Sequence, residues 1–269
     1  MSNRNAIAFD EAVAVIAGAG PGLGATLARR FAAAGASVAV IARSSRSVGA
    51  AMRSATDAGA DVVGIEADVT SVGDMRAAAE VVVERFGRVD ALVNMAFAAM
   101  PRREVIDLDD EDLERWRATV ETGGFGTLLS CRFFSPSMVA AGGGSIVNIT
   151  SMSSRVGFAG RSEYAAGKAQ SHRIAHALAD ELGPKGVRVN CVAPGPISSN
   201  ALSAFYRSRA DTLGITYDDV LQSVTDETAL RRIVTADEVA NAVLFLSSEL
   251  ASGITGAVID VNAGQLSAP

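Results

Sequence analysis

Apolar residues in this chain gather into short dense runs, and between the runs apolar positions recur every three or four residues. Seven runs have strand length and are mostly dense in Val, Ile and Ala: Ala12–Ala17, Ser37–Ala42, Asp61–Glu66, Ala91–Met95, Ser145–Thr150, Val187–Ala193 and Ala257–Val261. The periodic segments predict helices over Gly22–Ala34, Ser45–Ala58, Val72–Phe86, Leu108–Val139, Ser162–Leu182 and Thr235–Leu246. Such alternation predicts βαβ units. The expected fold is therefore α/β, a doubly wound seven-stranded parallel sheet of Rossmann type between two helical layers, forming a single domain over residues 1–269. One stretch departs from the rhythm, residues 195–233, which follows Pro194 and contains Phe205, Tyr206 and Tyr217. Connections of that length usually carry function, and this one is expected to cover a substrate cleft.

Composition narrows the possibilities. At 269 residues and 49% hydrophobic content, the chain can bury a large single core. Its charge is mildly acidic, with 24 Lys and Arg against 30 Asp and Glu, and no basic run suggests nucleic acid or an anionic membrane as a partner. Cys131 and Cys191 lie inside apolar elements and read as buried thiols rather than a disulfide or metal ligands. His172 and His176 are four residues apart on a predicted helix, but no further ligands at suitable spacing accompany them, so no metal site is expected. Asp10 and Glu11 precede the first apolar run, unlike the basic start of a signal peptide, and no stretch has membrane-spanning length. A soluble, cytoplasmic protein is expected.

Two motifs carry chemistry. Directly after the first strand comes Gly18-Ala-Gly20-Pro-Gly22-Leu23-Gly24, opening a helix. Glycines there let the backbone approach a pyrophosphate, whose charge suits the amides and positive dipole end of the helix. The second motif lies within Ser151–Lys168. Tyr164 and Lys168 are four residues apart in a helix-forming segment and share a face, so a lysine cation can favour the phenolate and ready it for proton transfer. Ser151 follows the fifth strand, where it can orient a carbonyl oxygen towards the tyrosine.

With its Gly-x-x-x-Gly-x-Gly turn, Tyr164-x-x-x-Lys168 and a serine thirteen residues before the tyrosine, the chain resembles the short-chain dehydrogenase/reductase family, classical type. The resemblance covers nearly the whole chain. It implies catalytic roles for Ser151, Tyr164 and Lys168, and places Asp68 and Val69 at the adenine. It also places Asn94 along the cofactor path, and Pro194, Gly195 and Ile197 beside the nicotinamide, whose ribose Tyr164 and Lys168 approach. The implied activity is an oxidoreductase transferring a hydride between a nicotinamide cofactor and a small carbonyl or secondary alcohol substrate, in a homo-oligomer, tetramer or dimer. The second strand ends Ile41-Ala42-Arg43, with Ala42 where an acid would bind the ribose hydroxyls of NAD and Arg46 close by, so NADP(H) is favoured over NAD(H).

Two departures from the family pattern matter. Met95 and Phe97 replace an amide and a glycine after the fourth strand; their side chains are expected to fill space around the strand end, Met95 in an irregular gap, with a substrate cavity narrowed by Phe97 as the alternative. Gly123 stands where the family carries an asparagine that holds a water for the lysine. Gly123 and Gly124 inside a predicted helix also imply a bend there. These departures keep two rivals open: a non-redox enzyme on the same scaffold (isomerase, dehydratase or cyclase), and a non-catalytic NADP(H)-sensing protein.

Overall fold

The computed structural model describes residues 7–98 and 101–265, so the ends of the expected span 1–269 lie outside the described residues. The strands are β1 (Val13–Ala17), β2 (Ser37–Ala42), β3 (Val62–Glu66), β4 (Ala91–Asn94), β5 (Gly144–Ile149), β6 (Val187–Pro194) and β7 (Val258–Val261). They form one parallel sheet in the order β3-β2-β1-β4-β5-β6-β7. The order reverses between β1 and β4, the switch point at which an open α/β sheet forms a crevice.

Both faces of the sheet are covered, which is why its central strands are apolar without alternation: all five residues of β1 are buried. Helices α1 (Leu23–Ala33), α2 (Ser45–Thr56) and α9 (Ala236–Ser247) cover one face, where Leu27, Phe31, Val239 and Val243 join the core. Helices α3 (Val72–Phe86), α5 (Phe125–Ala140) and α6 (Ser162–Leu182) cover the other, around Met75, Phe134 and Met138. Local chemistry sets several helix starts. Ser44 and Ser71 cap α2 and α3, and Thr235 and Glu238 form a reciprocal capping box on α9.

Two expectations need correction. The helix expected over Leu108–Val139, with a bend at Gly123 and Gly124, is two helices, α4 (Asp110–Gly123) and α5, which meet at Gly124, the C-cap of the first and N-cap of the second. Glycine lowers the cost of that break, and the break lets α4 lie across α6. The irregular stretch 195–233 in fact holds two helices, α7 (Asn200–Leu213) and α8 (Tyr217–Asp226). Tyr206, Ala210 and Val220 are buried in a small cluster of their own, with Tyr217 packed against it. Tyr206 and Tyr217 therefore hold this segment together, and both also line a cleft between α7 and α8.

Candidate active site

The chemistry-bearing residues meet at the carboxyl edge of the sheet. Beyond the end of β5, Ser151 caps a single 3-10 turn, Met152–Ser154, its Oγ accepting the Ser153 N–H at 3.1 Å. The chain returns as α6, with Tyr164 in the first turn and Lys168 one turn later. Lys168 is buried and its Nζ donates to the Ile149 carbonyl at 2.8 Å, which fixes the ammonium beneath the edge of β5. Burial lowers the Lys168 pKa to about 8, against a small opposing influence of the Cys191 thiol. The Cys131 and Cys191 thiols are both buried and pushed up to about 12, chiefly by desolvation.

Burial also raises the Tyr164 pKa; the Ser151 hydroxyl and then the Arg161 charge act in the opposite direction. This differs from the expectation that Lys168 readies the phenol. The Lys168 ammonium is engaged by the Ile149 carbonyl and lies 6.0 Å from the centre of the Tyr164 ring, whereas Arg161 lies 5.5 Å from it. Sequence reasoning missed Arg161. Its one signal was a position three residues before the tyrosine, at the N-cap of α6. The two substituted positions after β4 also part ways. Met95 packs against the core, while the half-exposed Phe97 meets Tyr164 edge to face, ring centres 4.8 Å apart at 75°. Phe97 therefore stands beside Tyr164 instead of filling the core.

Glycine 123 has a steric reason. A Cβ built there would come within 2.7 Å of the Gly167 backbone, so α4 and α6 touch immediately before Lys168 and leave no room for an asparagine. Its carbonyl is engaged by Thr127 Oγ1 at 2.8 Å.

The glycine turn fits an anionic diphosphate. Gly18 has φ of +93°, and a Cβ there would collide with the Ala96 backbone at 2.3 Å. Gly20 and Gly22 instead face open space, with nothing within 4 Å of a built Cβ. Gly22 begins α1 and no acidic residue occupies the first turn; the Ala25 and Thr26 amides donate to Gly20 O and Gly22 O, which leaves the Leu23 and Gly24 amides to face an anion. Gly24 packs tightly on Ala19, holding helix against turn. Arg43 follows β2 as an exposed side chain. Asp68 follows β3, its Oδ1 accepting the Thr70 N–H at 2.9 Å and Oγ1–H at 2.7 Å; Val69 beside it is buried. Asn94 is turned inward: its Nδ2 donates to Asn148 Oδ1 at 2.9 Å and Cys131 Sγ at 3.3 Å, joining β4 to β5. Pro194 ends β6, Gly195 donates its N–H to Val261 O at 3.1 Å, and Ile197 bridges to Val234. The glycine turn packs on Ala96, and the next residue, Phe97, meets Tyr164; phenol, hydroxyl and buried ammonium thus stand close to the turn, an arrangement suited to moving a proton at an oxygen atom.

A family model described as enoyl-(acyl carrier protein) reductase matches residues 18–265. The cis-4-hydroxycyclohexanecarboxylate dehydrogenase of Sinomonas cyclohexanicum is 34% identical, the match covering 96% of this chain and 97% of that one. A 7α-hydroxysteroid dehydrogenase solved with NADH and 7-oxo glycochenodeoxycholic acid superposes with a TM-score of 0.86 at 30% identity, covering 98% of both chains. The L-sorbose reductase of Gluconobacter frateurii, solved with NADPH and L-sorbose, gives a TM-score of 0.88 at 28% identity, covering 98% of this chain and 99% of that one.

Proposed function

The chain belongs to the short-chain dehydrogenase/reductase family, and from that premise we propose that it reversibly interconverts a secondary alcohol and a ketone using NADP(H), with Ser151, Tyr164 and Lys168 as its catalytic residues. It is an oxidoreductase that uses a nicotinamide cofactor, whose ring supplies the hydride chemistry when bound. The observation that carries the residue roles is the meeting of Ser151, Tyr164 and Lys168 at the carboxyl edge of β5.

Ser151 donates to the substrate oxygen and orients it. In the reductive direction Tyr164 gives its phenol proton to that oxygen; in the oxidative direction it takes the proton back. The Lys168 ammonium holds the nicotinamide ribose and, through it, the geometry of the phenol. Phe97, pressed against Tyr164, forms an apolar wall that limits water at the reacting centre.

The cofactor-binding set is Gly18, Gly20, Gly22, Leu23 and Gly24 at the diphosphate, Asp68 and Val69 at the adenine, and Asn94 by its backbone alone, with Pro194, Gly195 and Ile197, along the nicotinamide half, together with Tyr164 and Lys168. Arg43 is assigned to the 2′-phosphate of NADP(H), because Ala42 puts no carboxylate there to repel it. The relatives solved with NADH and with NADPH are compatible with either cofactor. The segment 195–233 covers the substrate. Leu113, Phe125 and Leu128 stand exposed on α4 and α5, a face suited to a homo-oligomer, and no described helix is long and apolar enough to cross a membrane; a cytoplasmic location goes with this reading.

The test is a ketone and alcohol panel, including 4-oxocyclohexanecarboxylate and L-sorbose, followed at the nicotinamide absorbance with NADPH and NADH. Turnover with NADPH supports the reading. Product formation without any absorbance change would replace it with non-redox chemistry.

A further inference from the structure

Three arginines from separate segments gather around Tyr164 and Phe205. Arg161, at the N-cap of α6, lies 5.5 Å from the centre of the Tyr164 ring. Arg102, from the loop after β4, lies 5.5 Å from the ring of Phe205 on α7. Arg209 projects from the same helix as Phe205. Arg103 donates its backbone N–H to Gly160 O at 3.3 Å, which brings Arg102 beside Arg161, and Phe205, whose ring Arg102 covers, lies one helical turn before Arg209; in keeping with this, the Arg102 pKa is lowered, first by desolvation and then by the charges of Arg161 and Arg209.

Like charges drawn together repel unless an anion sits among them. Among the described residues, none of the three has a carboxylate within 4.0 Å. The contrast with the neighbouring side chain is direct, since Arg103 pairs with the fully buried Asp112 at 3.0 Å. Stacking on the rings of Tyr164 and Phe205 steadies two of the guanidiniums and leaves their N–H edges free for a planar or tetrahedral oxyanion. Phe205 is itself partly exposed, so an apolar surface adjoins the cations.

We propose that Arg102, Arg161 and Arg209 form an oxyanion-recognition site beside Tyr164, selecting substrates that carry a carboxylate or phosphate monoester away from the reacting carbon. This rests on Tyr164 marking the reacting end of the substrate. The site sets orientation, because an anion held at the arginines turns the other end of a small molecule towards Tyr164. It also sets specificity, because neutral substrates leave the arginine cluster uncompensated.

Equilibrium binding to the NADP⁺-loaded protein tests the proposal without requiring turnover. The probes are cyclohexanecarboxylate, cyclohexyl phosphate and the neutral cyclohexanecarboxamide, titrated by calorimetry. At least one anion should bind about tenfold or more tightly than the amide, and the better of the two identifies the preferred oxyanion. That advantage should shrink in Arg161→Gln and in the exposed-site variant Arg209→Gln, and weaken with added salt, while NADP⁺ affinity stays unchanged. Equal binding of amide and anions, no saturable binding of any probe, or an advantage that survives both substitutions would overturn it. Failure of the redox reading shows separately, as absent nicotinamide oxidation across the carbonyl panel.

Discussion

Gly123 of α4 and Gly167 of α6 form a contact with no side chain between them: a Cβ on Gly123 would meet the Gly167 backbone at 2.7 Å, and one on Gly167 would meet the Thr119 carbonyl at 3.2 Å. Because Gly167 immediately precedes Lys168, this crossing sets how deeply the lysine sits beneath β5. Replacing Gly123 by the family's asparagine should therefore disturb the site it is meant to complete. Gly123→Asn is expected to lose roughly 1–3 kcal/mol by overpacking, with kcat falling as α6 moves. Denaturant unfolding with parallel kinetics checks this; unchanged stability would mean the helices can separate at no cost.

Tyr164→Phe removes the phenolic hydroxyl but keeps the ring that packs against Phe97 and Arg161. Turnover should fall by about 100-fold or more, while NADP(H) affinity is retained. Fluorescence titration of the cofactor beside steady-state kinetics separates the two effects. Substantial turnover in the variant removes Tyr164 from the mechanism.

Lys168 gives a pH signature. Its pKa is near 8 in the fold against an ordinary 10.5. Below pH 8 the lysine is protonated in both folded and unfolded chains, and the folded state bears the whole cost of a buried cation. Between about 8 and 10.5 the unfolded chain binds more protons, so this cost is relieved as pH rises. Lys168→Met should consequently be more stable than the parent at pH 7, by on the order of a few kcal/mol, and the gap should close towards pH 10.5. Cofactor-free denaturation at several pH values measures it; a gap that widens with pH would reverse the sign of the argument.

Arg43 follows β2 as an exposed side chain after buried Ala42. Arg43→Ala should weaken NADPH binding about tenfold or more and leave NADH binding nearly unchanged. Parallel titrations of both cofactors decide the matter, since equal losses for the two would place Arg43 away from the 2′-phosphate.

Much of this protein follows from order along the chain. The dense Val and Ile runs specify strands buried on both faces, the glycines after β1 specify a turn into an uncapped helix, and the four-residue interval from Tyr164 to Lys168 puts both on one helical face, because each pattern is local to one or two elements. Tertiary packing decided the rest. Gly123 is intelligible only once α4 lies against α6; Asn94 turns inward because Asn148 on the next strand accepts its amide; and Phe97 leaves the core because Tyr164 offers its ring edge to edge-to-face contact. Arg102, Arg161 and Arg209 are ordinary surface residues as letters in a sequence. Only the fold brings them together, and a charge cluster assembled from three distant segments has no local pattern by which to be read.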